Sequence, residues 1–189
     1  MKNSKASSVA TLGIFIAIMI VVQLLTQFVY AFWPSPIQPT LMQIPVIIGS
    51  VVLGPKKGAF MGFIMGLYSF LYSTLFPIPT SFLFTPFQHG GNFWSLVIAF
   101  VPRILIGVFP YFVYKAMRTH FGAGLAGFVG NATNGILVLG SIFIFFGKTI
   151  NESFAALVGA ILSTNTLVET LASIILVAAI VPALMKSKK

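Results

Sequence analysis

Long apolar stretches with basic residues at their ends constrain this chain more than any other feature. Lys2, Lys5, Lys56, Lys57, Lys115, Arg118, Lys186, Lys188 and Lys189 fall where a chain crossing a bilayer an even number of times returns to one side. Lys148 falls on the other side, and only Arg103 lies inside a stretch. Short basic loops resist translocation, so the side with most of the cations, both termini included, is expected to be cytoplasmic. Composition agrees: 58% of residues are hydrophobic and 7% charged, whereas a soluble globule carries about a quarter charged residues.

Roughly 20 apolar residues cross the hydrocarbon at about 1.5 Å per residue. That ruler divides the chain into spans at about 9–32, 40–53, 59–75, 92–114, 121–146 and 154–184. The first stops at Trp33-Pro34-Ser35-Pro36, whose prolines disfavour helix continuation. It follows Lys2 and Lys5 like a signal peptide, but it outlasts a typical apolar region and offers no clear cleavage site, so it reads as a retained span. The second span is short and ends in Gly54-Pro55-Lys56-Lys57-Gly58, a tight basic turn between antiparallel helices. The segment 76–91, with Pro77, Pro79 and Pro86 and no basic residue, is the main external loop. The expected fold is all-α: one membrane domain over 1–189, a compact bundle of six transmembrane helices.

Several function classes fall away. The net charge of +9 sits in juxtamembrane loops that attract anionic headgroups, not on a soluble domain that could hold nucleic acid. There is no cysteine, and His89 and His120 are too few for an ordinary zinc site, so neither a metal nor another cofactor is expected. Gly49 and Gly54 have P-loop spacing, but Pro55 stands where Gly-Lys would begin, so the chain lacks its own ATP loop. His89, His120 and Glu169 lie at different depths and form no catalytic set, so no enzyme is expected.

The polar residues inside the spans carry the functional signal. An ionised Arg at the bilayer centre costs about 2.5–3.5 kcal/mol on insertion scales, so Arg103 must face protein, water or a partner. Asn92, Ser95, Ala99 and Arg103 form one stripe at helical spacing, with Trp94 about opposite as an interface anchor. Asn131 and Asn134 share a face of span five, and Asn165, Glu169 and Ser173 share a face of span six. Three inward stripes are expected to line a cavity opening outward, with His89 nearer its mouth. Two readings of Arg103 stand: an ion pair with Glu169 that ties spans four and six, or a ligand contact. For each asparagine, helix-to-helix glue at about 0.6–2 kcal/mol competes with ligand contact.

Ala6, Ala10, Gly13 and Ala17 recur at four, three and four, a smooth ridge along the start of span one. Small residues at this spacing let another helix approach closely, either a partner's or a neighbouring span.

These residues together resemble the substrate-binding S component of energy-coupling factor (ECF) vitamin transporters. The resemblance covers almost the whole chain. Its carriers are the ridge Ala6 to Ala17, the run from Gln43 to Gly58, the segment Val101-Pro102-Arg103 to Gly107, Gly130-Asn131-Ala132-Thr133-Asn134, and Asn165 followed by Glu169. The family run often begins with His where this chain has Gln43. The resemblance implies a multi-pass protein of the bacterial cell membrane that captures a vitamin from outside. It also implies docking through the ridge on a membrane scaffold (T) subunit and turnover by two ATPase (A) subunits, with the loops after spans one and three gating the pocket.

Within that family the chain looks most like the pantothenate-type members, a resemblance that implies an ABC importer subunit for an aliphatic acid with hydroxyl and amide groups. Arg103 suits the carboxylate, and Asn92, Asn131, Asn134 and His89 suit the hydroxyls and amide, with Gln43, Asn165 and Glu169 beside them. Tyr68 and Tyr72 are the remaining aromatic candidates. A riboflavin, niacin or pyridoxine S component and a stand-alone secondary transporter are the competing readings.

Overall fold

A computed structural model describes residues 3–32, 40–148 and 163–187, with Gly159. Lys2, Trp33 and the turn after it, Glu152, the start of span six, Lys188 and Lys189 lie outside the described residues, as do the side chains of Lys5 and Ala6. The helices are α1 (Asn3–Phe32), α2 (Gln43–Leu53), α3 (Pro55–Leu75), α4 (Phe93–Ile106), α5 (Phe109–Met117), α6 (His120–Phe146) and α7 (Thr164–Ser187), with a 3-10 turn at Ser81–Leu83. Among the described residues there is no strand. With α4 and α5 taken as one, five helices there are long and apolar enough to cross a membrane.

The exception, α2, is the centre of the bundle. Its 11 residues reach only about 16 Å at 1.5 Å per residue, roughly half the hydrocarbon thickness. Gln43 through Val52 are all buried, as an apolar helix with no solvent face must be. α1, α3, α5, α6 and α7 surround it. Its shortness leaves room beyond Gln43, where the turn at residues 40–42 runs from exposed Thr40 to buried Met42.

The basic turn after α2 is tighter than the sequence suggested. The chain reverses at Gly54 alone, whose φ of 93° is left-handed backbone that glycine takes without a Cβ penalty. Pro55 opens α3, a favoured site because its missing N–H would be unpaired there anyway. Lys56 and Lys57 therefore ride on the first turn of α3, and Lys57 donates to Ser8 Oγ on α1.

Gly58, Gly62 and Gly66 form a seam along α3 that lies directly on the α4 backbone. A Cβ on each would stand 2.0 Å from Gly107 O, 2.1 Å from Arg103 O and 2.7 Å from Ala99 O. Such close approach is what glycines at helical spacing permit. The expected span 92–114 is interrupted at Gly107 and Val108. Pro110 cannot donate to Ile106 O and its ring crowds that carbonyl, so the helix stops and restarts as α5. α6 and α7 meet similarly, Gly127 facing Ser173 O.

Most of the described basic residues gather at one end, in line with their spacing. Ser8 meets Lys57, Gly58 meets Gly107, and His120 meets Ala178, so Lys56, Lys57, Lys115, Arg118 and Lys186 share one end of the bundle. Lys148 follows the other end of α6. That opposite end is covered by the 76–92 segment, which is folded and not open: Thr74 and Thr85 hydroxyls bond at 2.8 Å, Ser95 Oγ donates to Phe82 O at 2.7 Å, and Phe82 packs edge-on against Phe146.

Candidate functional site

The site begins with a backbone defect. Pro102 lies inside α4 and has no N–H to give to Ile98 O, the carbonyl four residues back. A buried carbonyl without a donor is costly, and here Arg103 supplies one: its Nη1 donates to Ile98 O at 2.9 Å. Its guanidinium carbon stands 5.2 Å from the centre of the Phe84 ring in the covering loop, within cation–π range. Arg103 is only 8% exposed, and Nε has no partner among the described residues.

Arg103 borders a cavity of about 270 Å³ beneath the loop. Gln23 and Gln27 of α1 form one wall, Tyr68, Ser69, Tyr72 and Ser73 of α3 another, and Thr80, Ser81 and Phe84 the roof. Thr40 and Met42, just before α2, close the side left open by that helix's shortness. Tyr68 donates to Gln27 Oε1 at 3.1 Å and stacks on Tyr72 with ring centres 6.0 Å apart. Gln23 Oε1 is a buried acceptor without a partner among the described residues. An outer chamber of about 590 Å³ shares Gln23, Gln27, Thr40, Tyr72 and Ile78 and adds Tyr30.

Beside the cavity lies a second polar cluster. Gln43 Nε2 donates to Asn131 Oδ1 and, at 3.3 Å, to Glu169 Oε2. Asn131 Nδ2 donates to Thr170 Oγ1 at 2.5 Å. Glu169 Oε1 accepts from Thr40 N at 2.5 Å, so the cluster ties α2, α6 and α7 to a backbone position on the cavity wall. Glu169 and Arg103 thus have different partners, and among the described residues no ion pair joins them.

The expected site residues divide accordingly. Arg103, Tyr68 and Tyr72 line the cavity, while Gln43, Asn131 and Glu169 form the neighbouring cluster. Asn165 sits a turn before Glu169, half-buried; Asn134, also half-buried, keeps an unpartnered Oδ1 among the described residues. Asn92 Oδ1 accepts from Trp94 N, and Ser95 Oγ accepts from Asn92 N, a reciprocal cap that starts α4. His89 is exposed on the loop. Trp94 is exposed, as its position opposite the stripe predicted, and stacks on Phe145 at 4.0 Å.

Sequence reasoning passed over Gln23, Gln27, Ser69 and Ser73. Both pairs are spaced i, i+4, the signal that picked out the stripes on the later helices. On the outer face of α1, Ala10, Gly13 and Ala17 are exposed, and a Cβ on Gly13 would meet nothing within 4 Å. Among the described residues, Ala10, Gly13 and Ala17 are not consumed by packing.

A family model described as "ECF transporter, substrate-specific component" matches residues 7–185. The chain is 58% identical to the pantothenic acid transporter PanT of Lactococcus lactis subsp. cremoris, over 100% of this chain and 98% of the relative. It is 29% identical to the pantothenate transporter PanT of Leuconostoc mesenteroides subsp. mesenteroides, over 95% and 93% respectively. The family and both relatives are transporters and not enzymes. With its apolar helices, that makes this a multi-pass protein of the bacterial cell membrane.

Proposed function

The chain belongs to the substrate-specific component family of ECF transporters, and from that premise we propose that it captures pantothenate on the outer side of the membrane. The observation that carries the choice is Arg103, a buried cation that has no carboxylate partner among the described residues and borders a small polar cavity. It suits the ligand carboxylate, and Nε is a donor still to be used. The amino-terminal end of α2, beside Thr40 and Met42, adds positive partial charge on the same side. Gln23 Oε1 suits an amide or hydroxyl hydrogen, and Gln27, Ser69, Ser73 and Tyr68 offer further polar contacts. The Gln43–Asn131–Glu169 cluster holds Thr40 in position and so acts on the ligand through the wall.

The cation-rich end is cytoplasmic in this reading, with both termini there, and the six-helix unit opens its cavity outward under the 76–92 cover. Delivery depends on a scaffold (T) subunit that receives the Ala10, Gly13 and Ala17 ridge, and on two ATPase (A) subunits. Gly13→Leu should leave pantothenate affinity within about twofold of wild type but abolish uptake by the assembled transporter, because a bulky side chain prevents close helix approach.

The primary test is calorimetric titration of the purified chain with pantothenate, niacin, riboflavin and pyridoxine. Saturable binding of pantothenate alone is expected. Preference for another vitamin, or none bound by folded protein, would overturn the assignment. Uptake by liposomes containing this chain alone would instead identify a stand-alone transporter.

A further inference from the structure

At the cation-rich end, a concavity of about 530 Å³ opens between α5, the start of α6 and the end of α7. Lys115, Arg118 and Lys186 border it, all three exposed, and Tyr111 and Tyr114 wall one side. Lys115 Nζ stands 6.0 Å from the centre of the Tyr111 ring. Arg118 occupies the turn between α5 and α6 with a φ of 49°, a helix-ending conformation that favours glycine. A long cation therefore stands where backbone geometry alone would select no side chain.

Among the described residues no carboxylate meets these charges. The sequence holds only two acidic residues against 11 basic ones. Glu169 is bound to Thr40 and Gln43, and 17 residues of helix, about 25 Å, separate it from Lys186. Glu152 follows the far end of α6 in the chain and lies outside the described residues. Among the described residues no carboxylate lines the concavity. The start of the 27-residue α6 adds to the positive field: Thr119, on the rim, accepts from Gly122 N and leaves other first-turn amides unpaired in the helix.

The site's surroundings favour one kind of anion. Phe112 and Phe121 are 54% and 72% exposed next to the basic rim, which in a membrane-spanning chain brings apolar surface and cations to the same depth. A soluble phosphate uses only the cations, whereas a phospholipid also uses the apolar surface beside them. We propose that this concavity binds the phosphodiester headgroup of an anionic phospholipid. The site is separate from the vitamin cavity and does not depend on which vitamin is carried.

Native mass spectrometry of the full chain, exchanged into mixed micelles containing phosphatidylglycerol and phosphatidylcholine, tests this directly. A juxtamembrane cation near an anionic surface corresponds to about a fivefold preference, so wild type should retain phosphatidylglycerol at least about fivefold over phosphatidylcholine. K115Q/R118G/K186Q should fall to near parity while still binding pantothenate; its glycine suits the left-handed turn. K56Q/K148Q, which removes exposed charge elsewhere, should keep the preference. Absence of preference in wild type, its survival in the triple variant, or equal loss in the control pair would overturn the proposal. Full displacement of the lipid by millimolar inorganic phosphate would identify a soluble-anion site and also overturn it.

Discussion

The two ends of the bundle handle positive charge in opposite ways. At the covered end one guanidinium is buried among polar walls and fixed by Ile98 O; at the other, three cations stand exposed around an open concavity. Both arrangements border a proline inside a helix. Pro102 leaves Ile98 O without its backbone donor and Arg103 takes it; Pro182 leaves Ala178 O likewise, and His120 Nδ1 reaches it at 3.4 Å. The lesson is one of dielectric. A buried charge is costly unless matched, so it can select a single ligand group, whereas exposed charges interact weakly one by one and act through number.

The contrast breaks most sharply at Arg103. Arg103→Ala should weaken pantothenate binding by about 10- to 100-fold, the worth of hydrogen bonds to a charged group. It should also lower the melting temperature, because orphaning a buried carbonyl costs about 1–3 kcal/mol. Adding Pro102→Ala gives Ile98 O a backbone donor, so the double variant should recover stability but not binding. Calorimetry and thermal unfolding on the same samples separate the two roles, and recovery of both would make Arg103 purely structural.

A smaller effect is expected from the neighbouring cluster. Asn131→Ala removes a partner from both Gln43 and Thr170 and should destabilise the protein by about 1–3 kcal/mol, while pantothenate binding weakens less than tenfold. A larger loss of binding than Arg103→Ala would move the ligand's anchor to this cluster. The smallest effect is ionic. Raising salt from about 0.1 M to about 1 M shortens the screening length from about 10 Å to about 3 Å. Retention of phosphatidylglycerol should fall, while pantothenate affinity stays within about twofold, as isothermal titration across the same series would reveal.

Much of the bundle was legible because lipid enforces long apolar helices and leaves few places for charge. The inward face of α4 was readable for the same reason: Ser95, Ala99 and Arg103 are buried where their spacing put them. The break at Pro110 was missed although its cause is local, since hydropathy runs through it unchanged. Asn92 illustrates a different limit. At the start of a helix an asparagine followed three residues later by serine is a cap, and shifting the boundary by one residue turns the same side chain into part of an inward stripe. The cavity wall on α1 was hidden because glutamines lack charge and sit in an overwhelmingly apolar helix. The pairing of Gln43 with Asn131 depends on which helices adjoin, which no single helix's periodicity states.

The glycine seam between α3 and α4 has a mechanical consequence. Backbone there lies against backbone, with no side chain between them to change rotamer, so Tyr68, Ser69, Ser73 and Arg103 are carried on a single stiff body. α1 is different: it is largely exposed and lends the cavity only Gln23 and Gln27. The cavity therefore has one cast wall and one borrowed from α1, so the helix that presents Gln23 and Gln27 to the cavity also carries the exposed small residues on its outer face.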